Sequence, residues 1–202
     1  MGLTRNFSNP KGFIGKVFLA SMNATHTPIS KWALKKYDWK PDTAALDIGC
    51  GGGMNIKRML KLSPNGIAAG VDVSEESVKK SMQINRKYLG TRCFIKHGSA
   101  DNIPFESDCF DVVTAFETIY FWGNLQKAFN EIFRVLKNDG TFMAVCELSD
   151  SKSAWGKMVE NIRIYTPEQL SQYMSDAGFT DITVLKNKSG RMCVCAKKKA
   201  VI

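Results

Sequence analysis

The sequence predicts an α/β protein built on a doubly wound, largely parallel sheet. Three observations carry that expectation. After residue 43, short apolar runs suited to buried strands alternate with longer segments of helical spacing. That alternation places helices on both faces of a parallel sheet. The first run passes through Leu46-Asp47-Ile48 into the Gly-rich turn Gly49-Cys50-Gly51-Gly52-Gly53 before a helix begins. No apolar run approaches the roughly 20 residues needed to cross a bilayer. With 202 residues, 44% hydrophobic and 23% charged, the composition suits one domain with one core and excludes disordered and collagen-like chains.

Residues 1–43 precede the first strand and read as an N-terminal helical cap, with helices over Gly12–Met22 and Pro28–Tyr37. The rest, 44–202, reads as the main domain. Seven strands are expected, at Ala44–Ile48, Ile67–Val71, Arg92–Lys96, Phe110–Ala115, Thr141–Cys146, Ile182–Leu185 and Met192–Ala196. Ile56, Met59 and Leu60 mark the helix after the Gly-rich turn. Ser74 caps the next helix, whose first turn holds Glu75 and Glu76 at the positive end of the helix dipole. Leu125, Ala128, Phe129, Ile132, Phe133 and Leu136 form one buried helical stripe, and Asn138-Asp139-Gly140 then forces a turn. Thr166, Pro167 and Gln169 form a capping box, and Gly178 closes the helix that they open.

A Gly-rich turn between strand and helix lets a ligand approach the backbone and offers it the helix's first N–H groups. By itself it would suit a dinucleotide, a phosphate or no ligand. Counted from Gly49, the sixth place of the dinucleotide fingerprint holds Met54, which weighs against a nicotinamide dinucleotide and an oxidoreductase. Asp47 would repel a pyrophosphate but suits a ligand carrying an ammonium group. Asp72 ends the next strand, where a carboxylate can accept hydrogen bonds from both hydroxyls of a ribose.

These segments, with Gly70-Val71-Asp72-Val73-Ser74, Gly98-Ser99-Ala100, Ile103-Pro104-Phe105, Phe110-Asp111-Val112-Val113 and Ile132 through Gly140, resemble the class I S-adenosylmethionine-dependent methyltransferases of the small-molecule, type 11-like branch. The resemblance spans roughly residues 20–196. It implies a Rossmann-like seven-stranded sheet of order 3-2-1-4-5-7-6 with strand 7 antiparallel, and S-adenosylmethionine as cofactor. Gly49, Gly51 and Gly53 would pass beneath the methionine part, with Asp47 near its amino group and Asp72 on the ribose. Ser99 and Ala100 would border the adenine. Many relatives carry Asp where this chain has Ser99, and Asp101 is the alternative contact to the adenine amino group. Phe116 and Glu117 end the fourth strand, where the family places the sulfonium and the acceptor. Glu117, Tyr120 and Trp122 are therefore candidates for the methyl-transfer cavity.

Glu117 also reads as a polar residue at a strand end, and Tyr120-Phe121-Trp122 reads equally as core or as pocket. Met22, Asn23 and His26 resemble a Met-Asn-x-x-His segment of some relatives, which nominates His26 beside Glu117 as a general base; capping or packing is its other reading. The fourth strand lacks the Asn/Asp-Pro-Pro-Tyr/Phe tetrad of enzymes that methylate exocyclic amines of bases. Ser149–Tyr165, with Trp155, Met158 and Ile162, is where relatives vary to fit their substrates, and a small, partly apolar acceptor is expected.

The net charge of +9 leaves an RNA or other nucleic-acid methyltransferase as an alternative, but Lys35, Lys36, Lys57, Arg58, Lys79, Lys80, Arg86 and Lys87 are scattered and read as a solvated surface. A non-catalytic nucleoside-binding regulator is the other alternative. The six cysteines have no CxxC spacing, and with two histidines they predict no metal site. Cys193 and Cys195 share one strand face as a pair of thiols. Reduced thiols, with no secretory leader or myristoylation signal, point to the cytoplasm.

Overall fold

The computed structural model describes residues 27–146, 163–188 and 190–200. The expected helix over Gly12–Met22, the nominee His26 and the residues Trp155, Met158 and Ile162 lie outside that range. The strands are β1 (Ala44–Ile48), β2 (Ile67–Asp72), β3 (Cys93–His97), β4 (Phe110–Phe116), β5 (Leu136–Cys146), β6 (Thr180–Lys186) and β7 (Met192–Lys197). They form one seven-stranded sheet of order β3-β2-β1-β4-β5-β7-β6. β1/β2, β2/β3 and β4/β5 pair in parallel, whereas β7 runs antiparallel to both β5 and β6. Packing divides the chain into two compact units, residues 1–99 and 100–202.

The first unit holds β1 to β3 with the helices α1 (Thr27–Leu34), α2 (Met54–Leu62) and α3 (Glu75–Ile84). Every residue of β1 is buried, as expected of a strand covered on both faces. Helix α2 buries Ile56, Met59 and Leu60, the expected stripe. It settles close to the sheet because β2 offers it a glycine: a Cβ on Gly70 would lie 2.4 Å from Ile56 Cδ1. Helix α3 starts where Ser74 accepts a hydrogen bond from Ser77 N. Helix α1 ends at Leu34 and not at Tyr37, and Trp39 Nε1 donates to the Leu34 carbonyl at 2.7 Å just beyond that end.

The second unit holds β4 to β7 with α4 (Leu125–Val135) and α5 (Pro167–Asp176). Asn124 caps α4 by accepting from Lys127 N, and α5 opens with the expected Thr166/Gln169 capping box. β5 begins at Leu136, five residues before the expected Thr141. The turn is nevertheless there, folded into the strand. Phe110 pairs with Leu136 and Val112 already with Thr141, so residues 137–140 bulge out, and Asp139 takes a left-handed φ of 62°. The end of β7 catches this bulge: Asp139 N donates to the Lys198 carbonyl and Lys198 N to the Gly140 carbonyl. Phe129, Phe133, Phe142 and Phe179 meet mainly edge to face behind the sheet.

Candidate active site

In the first unit the turn after β1 is built by backbone geometry. Gly49, Gly51 and Gly53 have φ of 70°, 50° and 78°, which side chains rarely tolerate. At Gly53 the constraint is steric as well. A Cβ there would lie 2.2 Å from Ser81 Oγ and 2.9 Å from Ser81 Cα, so α3 already occupies that side of the turn. Asn85 fastens the same place, its Nδ2 donating to the Gly53 and Ser81 carbonyls at 3.0 Å each. Gly53 caps α2 without contributing a side chain.

Asp72 faces this turn from the end of β2. Its Oδ2 accepts from Gly51 N at 2.8 Å and its Oδ1 from Ser74 N at 2.9 Å. Two backbone N–H groups thus fix the carboxylate plane, and with Ser77 also bonding to it the carboxylate keeps acceptor capacity to spare. Burial pushes the Asp72 pKa above the usual range, with the hydrogen bonds from Ser74, Gly51 and Ser77 and the nearby His97 pulling it back. His97 itself is tied at the end of β3, its Nε2 3.1 Å from the Val73 carbonyl, in a structural role.

Asp47 is fully buried in β1. Its charge reaches Arg58 on α2, whose guanidinium is lowered by desolvation and partly restored by Asp47. Cys50, inside the turn, is also buried. Desolvation first, then Asp72 and Asp47, push its thiol well above the ordinary value. It is a packing group and not a nucleophile.

In the second unit, Ala100 and Phe116 are buried and Asp101 is half-buried. Ser99, half-buried, ends the first unit. The loop after Asp101 is held by α4: Glu131 Oε2 accepts from Ile103 N at 3.0 Å, and Arg134 donates to the Ile103 and Phe105 carbonyls at 3.0 and 2.9 Å. Glu117 directly follows β4 with a φ of 56°, uncommon for a residue that is neither Gly, Asn nor Asp, and its side chain is buried. Tyr120 Oη donates to Glu117 Oε2 at 3.3 Å. Below them Cys146 is pushed well above the usual thiol range by burial first and then by Glu117, while a hydrogen bond with Tyr120 pulls it back. Trp122 leans on the core, its ring edge-on to Phe129 with centroids 6.2 Å apart. Tyr120 therefore belongs with Glu117, and Trp122 is at least partly a core residue.

Sequence reasoning missed Asn85, Ser81, Arg134 and Cys146. Asn85 leaves no motif because it acts on a backbone carbonyl of the turn 32 residues away in sequence, and Ser81 leaves none because it acts by filling the space beside Gly53. The spacing of Glu131 and Arg134 is an i,i+3 helical pair, a signal that was available. Among the described residues no group of three or more Asp, Glu, His or Cys is placed to hold a metal, and no helix is long and apolar enough to cross a membrane.

The sheet order with its antiparallel seventh strand, the Gly-rich turn after β1 and the acid closing β2 define a class I S-adenosylmethionine-dependent methyltransferase. The model of the methyltransferase domain family matches residues 40–194, and the chain belongs to that family. "Putative methyltransferase YrhH" of Bacillus subtilis (strain 168) is 27% identical over 180 residues, covering 89% of this chain and 90% of the relative. The demethylmenaquinone methyltransferase of Roseiflexus castenholzii is 25% identical over 166 residues, 69% of this chain and 68% of its own. Human N-acetylserotonin methyltransferase, solved in complex with S-adenosylmethionine, superposes with a TM-score of 0.74 at 18% identity, covering 91% of this chain and 55% of that one.

The first unit fits the cofactor. Asp72 is oriented by two main-chain donors and keeps acceptor capacity for a hydroxyl, and the positive φ at Gly51 brings bare backbone beside it.

Proposed function

We propose that this methyltransferase acts on a small acceptor that must lose a proton as it is methylated, with Glu117 as the group that takes the proton. The observation that carries the reading is the strained backbone of Glu117. A buried carboxylate is held at the end of β4 in a left-handed conformation, with the Tyr120 hydroxyl on one oxygen. Strain of this kind costs on the order of 1–3 kcal/mol and persists where the surroundings over-determine it, often at active sites.

The cofactor supplies a methyl group already activated by sulfonium charge, so the protein's task is alignment and exclusion of water. In the first unit, Asp72 would hold the ribose, Gly49 and Gly51 would bring the backbone against the methionine part, and Asp47 would attract its ammonium group. Gly53 shapes the turn by making room for α3. Ser99, Ala100 and Asp101 would border the adenine. In the second unit, Phe116 would flank the reacting centre, Tyr120 would orient Glu117, and Trp122 would contribute one wall of the acceptor cavity. His26 stays a nominee beside Glu117.

A small acceptor is supported further by how the basic residues are used. Lys198 donates to Asp108 and to the Leu136 carbonyl, both at 2.7 Å, and lies over the Phe133 ring, while Lys199 pairs with Asp181. Two lysines of the run Lys197-Lys198-Lys199 are thus taken up by the chain's own groups. The division into a cap over 1–43 and a methyltransferase domain over 44–202, and a cytoplasmic location, belong to the same proposal.

The test is release of S-adenosylhomocysteine from S-adenosylmethionine across a panel of phenols, carboxylic acids and amines. With an acceptor that turns over, Glu117→Gln should lower kcat by about 100-fold or more, the range for loss of a general base, while S-adenosylhomocysteine still binds. Full turnover by Glu117→Gln would overturn the assignment.

A further inference from the structure

Away from the residues assigned to methyl transfer, β7 carries two thiols that the reaction does not use. Cys193 and Cys195 are i and i+2 on an extended strand, so they project from the same face. Their sulfurs lie 3.4 Å apart. Both positions are inside the ladder: Cys193 stands opposite Val145 and Leu185, and Cys195 opposite Met143 and Thr183. Cys193 is fully buried, whereas Cys195 is half-buried and meets solvent first.

We propose that Cys193 and Cys195 form a hydroperoxide-oxidisable dithiol, in which Cys195 is oxidised first and Cys193 resolves it into an intrastrand disulfide. The local electrostatics favour that order. A hydrogen bond from Cys193 holds the Cys195 thiol below its ordinary pKa, against the opposing effect of burial, and the thiolate is the reactive form. In the first step the Cys195 thiolate attacks the terminal oxygen of the hydroperoxide. The O–O bond breaks, the alkoxide (hydroxide, for hydrogen peroxide) leaves and takes up the proton that Cys195 released, and Cys195 becomes a sulfenic acid. In the second step the Cys193 sulfur attacks the Cys195 sulfur, the S–O bond breaks, and water leaves with the Cys193 proton. Overall two thiols lose two protons and two electrons, and the hydroperoxide is reduced to an alcohol and water.

The strand sets the character of the product. Extended residues i and i+2 have Cα atoms about 6.6–6.8 Å apart, at the outer limit of the range that a disulfide spans. Closing the bond shortens β7 locally, so the disulfide is strained and easily reduced, as a reversible device requires.

Trypsin makes the test direct, because cleavage after Arg191 and Lys197 releases Met192–Lys197, a peptide holding these two cysteines and no other. The full chain is treated with a small excess of hydrogen peroxide, its remaining thiols are alkylated, and it is digested. The expected result is a Met192–Lys197 peptide without alkyl groups, lighter than the reduced peptide by two hydrogens and restored by dithiothreitol. Cys195→Ser should abolish the product, and Cys193→Ala should leave Cys195 to proceed to the sulfinic acid. The wild-type digest decides the matter even where a variant at buried Cys193 fails to fold. Double alkylation after peroxide treatment, sulfinic acid at Cys195 in the wild type, or a cross-link from either cysteine to another peptide would each overturn the proposal.

Discussion

Asp72 shows how a single side chain carries most of the cofactor argument. The sequence places an acid at the end of the second strand, but not what holds it, because its partners are the N–H groups of Gly51 and Ser74, which every residue type possesses. Burial raises its pKa. A ligand that needs the ionised form therefore begins to lose affinity at a higher pH than an ordinary aspartate, with pKa near 3.9, would allow. Binding of S-adenosylhomocysteine should weaken as pH falls toward that value from above, and a titration by calorimetry across acidic pH checks it. Gly53 teaches the opposite lesson. Its place in the motif suggests a ligand contact, yet the Cβ position is filled by Ser81. Gly53→Ala should thus destabilise the fold itself, by about 1–3 kcal/mol for the overlap, as urea unfolding without ligand would measure. Glu117 was legible as a polar strand end, but its left-handed backbone was not, since nothing about Glu favours that conformation.

At the scale of elements, strands buried on both faces were readable because their apolar runs are continuous; β1 matches at both ends. The ends of β5 and β6 were not. Leu136 fits the stripe of α4 and the first pair of β5 at once, and Asp181, with a φ of 50°, lies at the irregular start of an edge strand. Helix α4 also works as a clamp. Arg134 makes paired hydrogen bonds of 2.8 and 2.9 Å to the two oxygens of Glu131 and holds the loop at Ile103 and Phe105. Hydrogen bonding from Arg134 is the main reason that the Glu131 pKa falls below its usual value. An acid lowered on folding contributes stability that is fully present above its unfolded pKa, about 4.3, and is lost as pH falls through the folded value. Because the pair is partly exposed, the contribution is about 1 kcal/mol. Glu131→Gln should cost that amount at neutral pH and flatten the acid side of the stability curve, as unfolding midpoints between neutral and strongly acidic pH would show.

For the whole molecule, the charge of +9 is the feature most easily misread. Part of the basic excess is structural, since Lys198 is tied to Asp108 and Leu136, whereas Lys57, Lys79, Lys80, Arg86 and Lys87 are exposed as the sequence suggested. The more telling global property is linkage between ligand and stability. A ligand held at about 100 times its Kd adds about 2.7 kcal/mol to the native state. For a chain of this size that corresponds to a rise in Tm of roughly 5–10 °C. S-adenosylhomocysteine should produce that shift and NAD should not, in a melt followed by circular dichroism. The most direct measurement of the central claim is calorimetry of S-adenosylhomocysteine binding to the wild type and to Asp72→Ala. Loss of charged hydrogen bonding to the ribose predicts weakening by about 1.5–3 kcal/mol, a drop of roughly 10- to 150-fold in affinity. Equal affinity in the two proteins, or a wild type that takes NAD in preference to the sulfur nucleoside, would contradict the account.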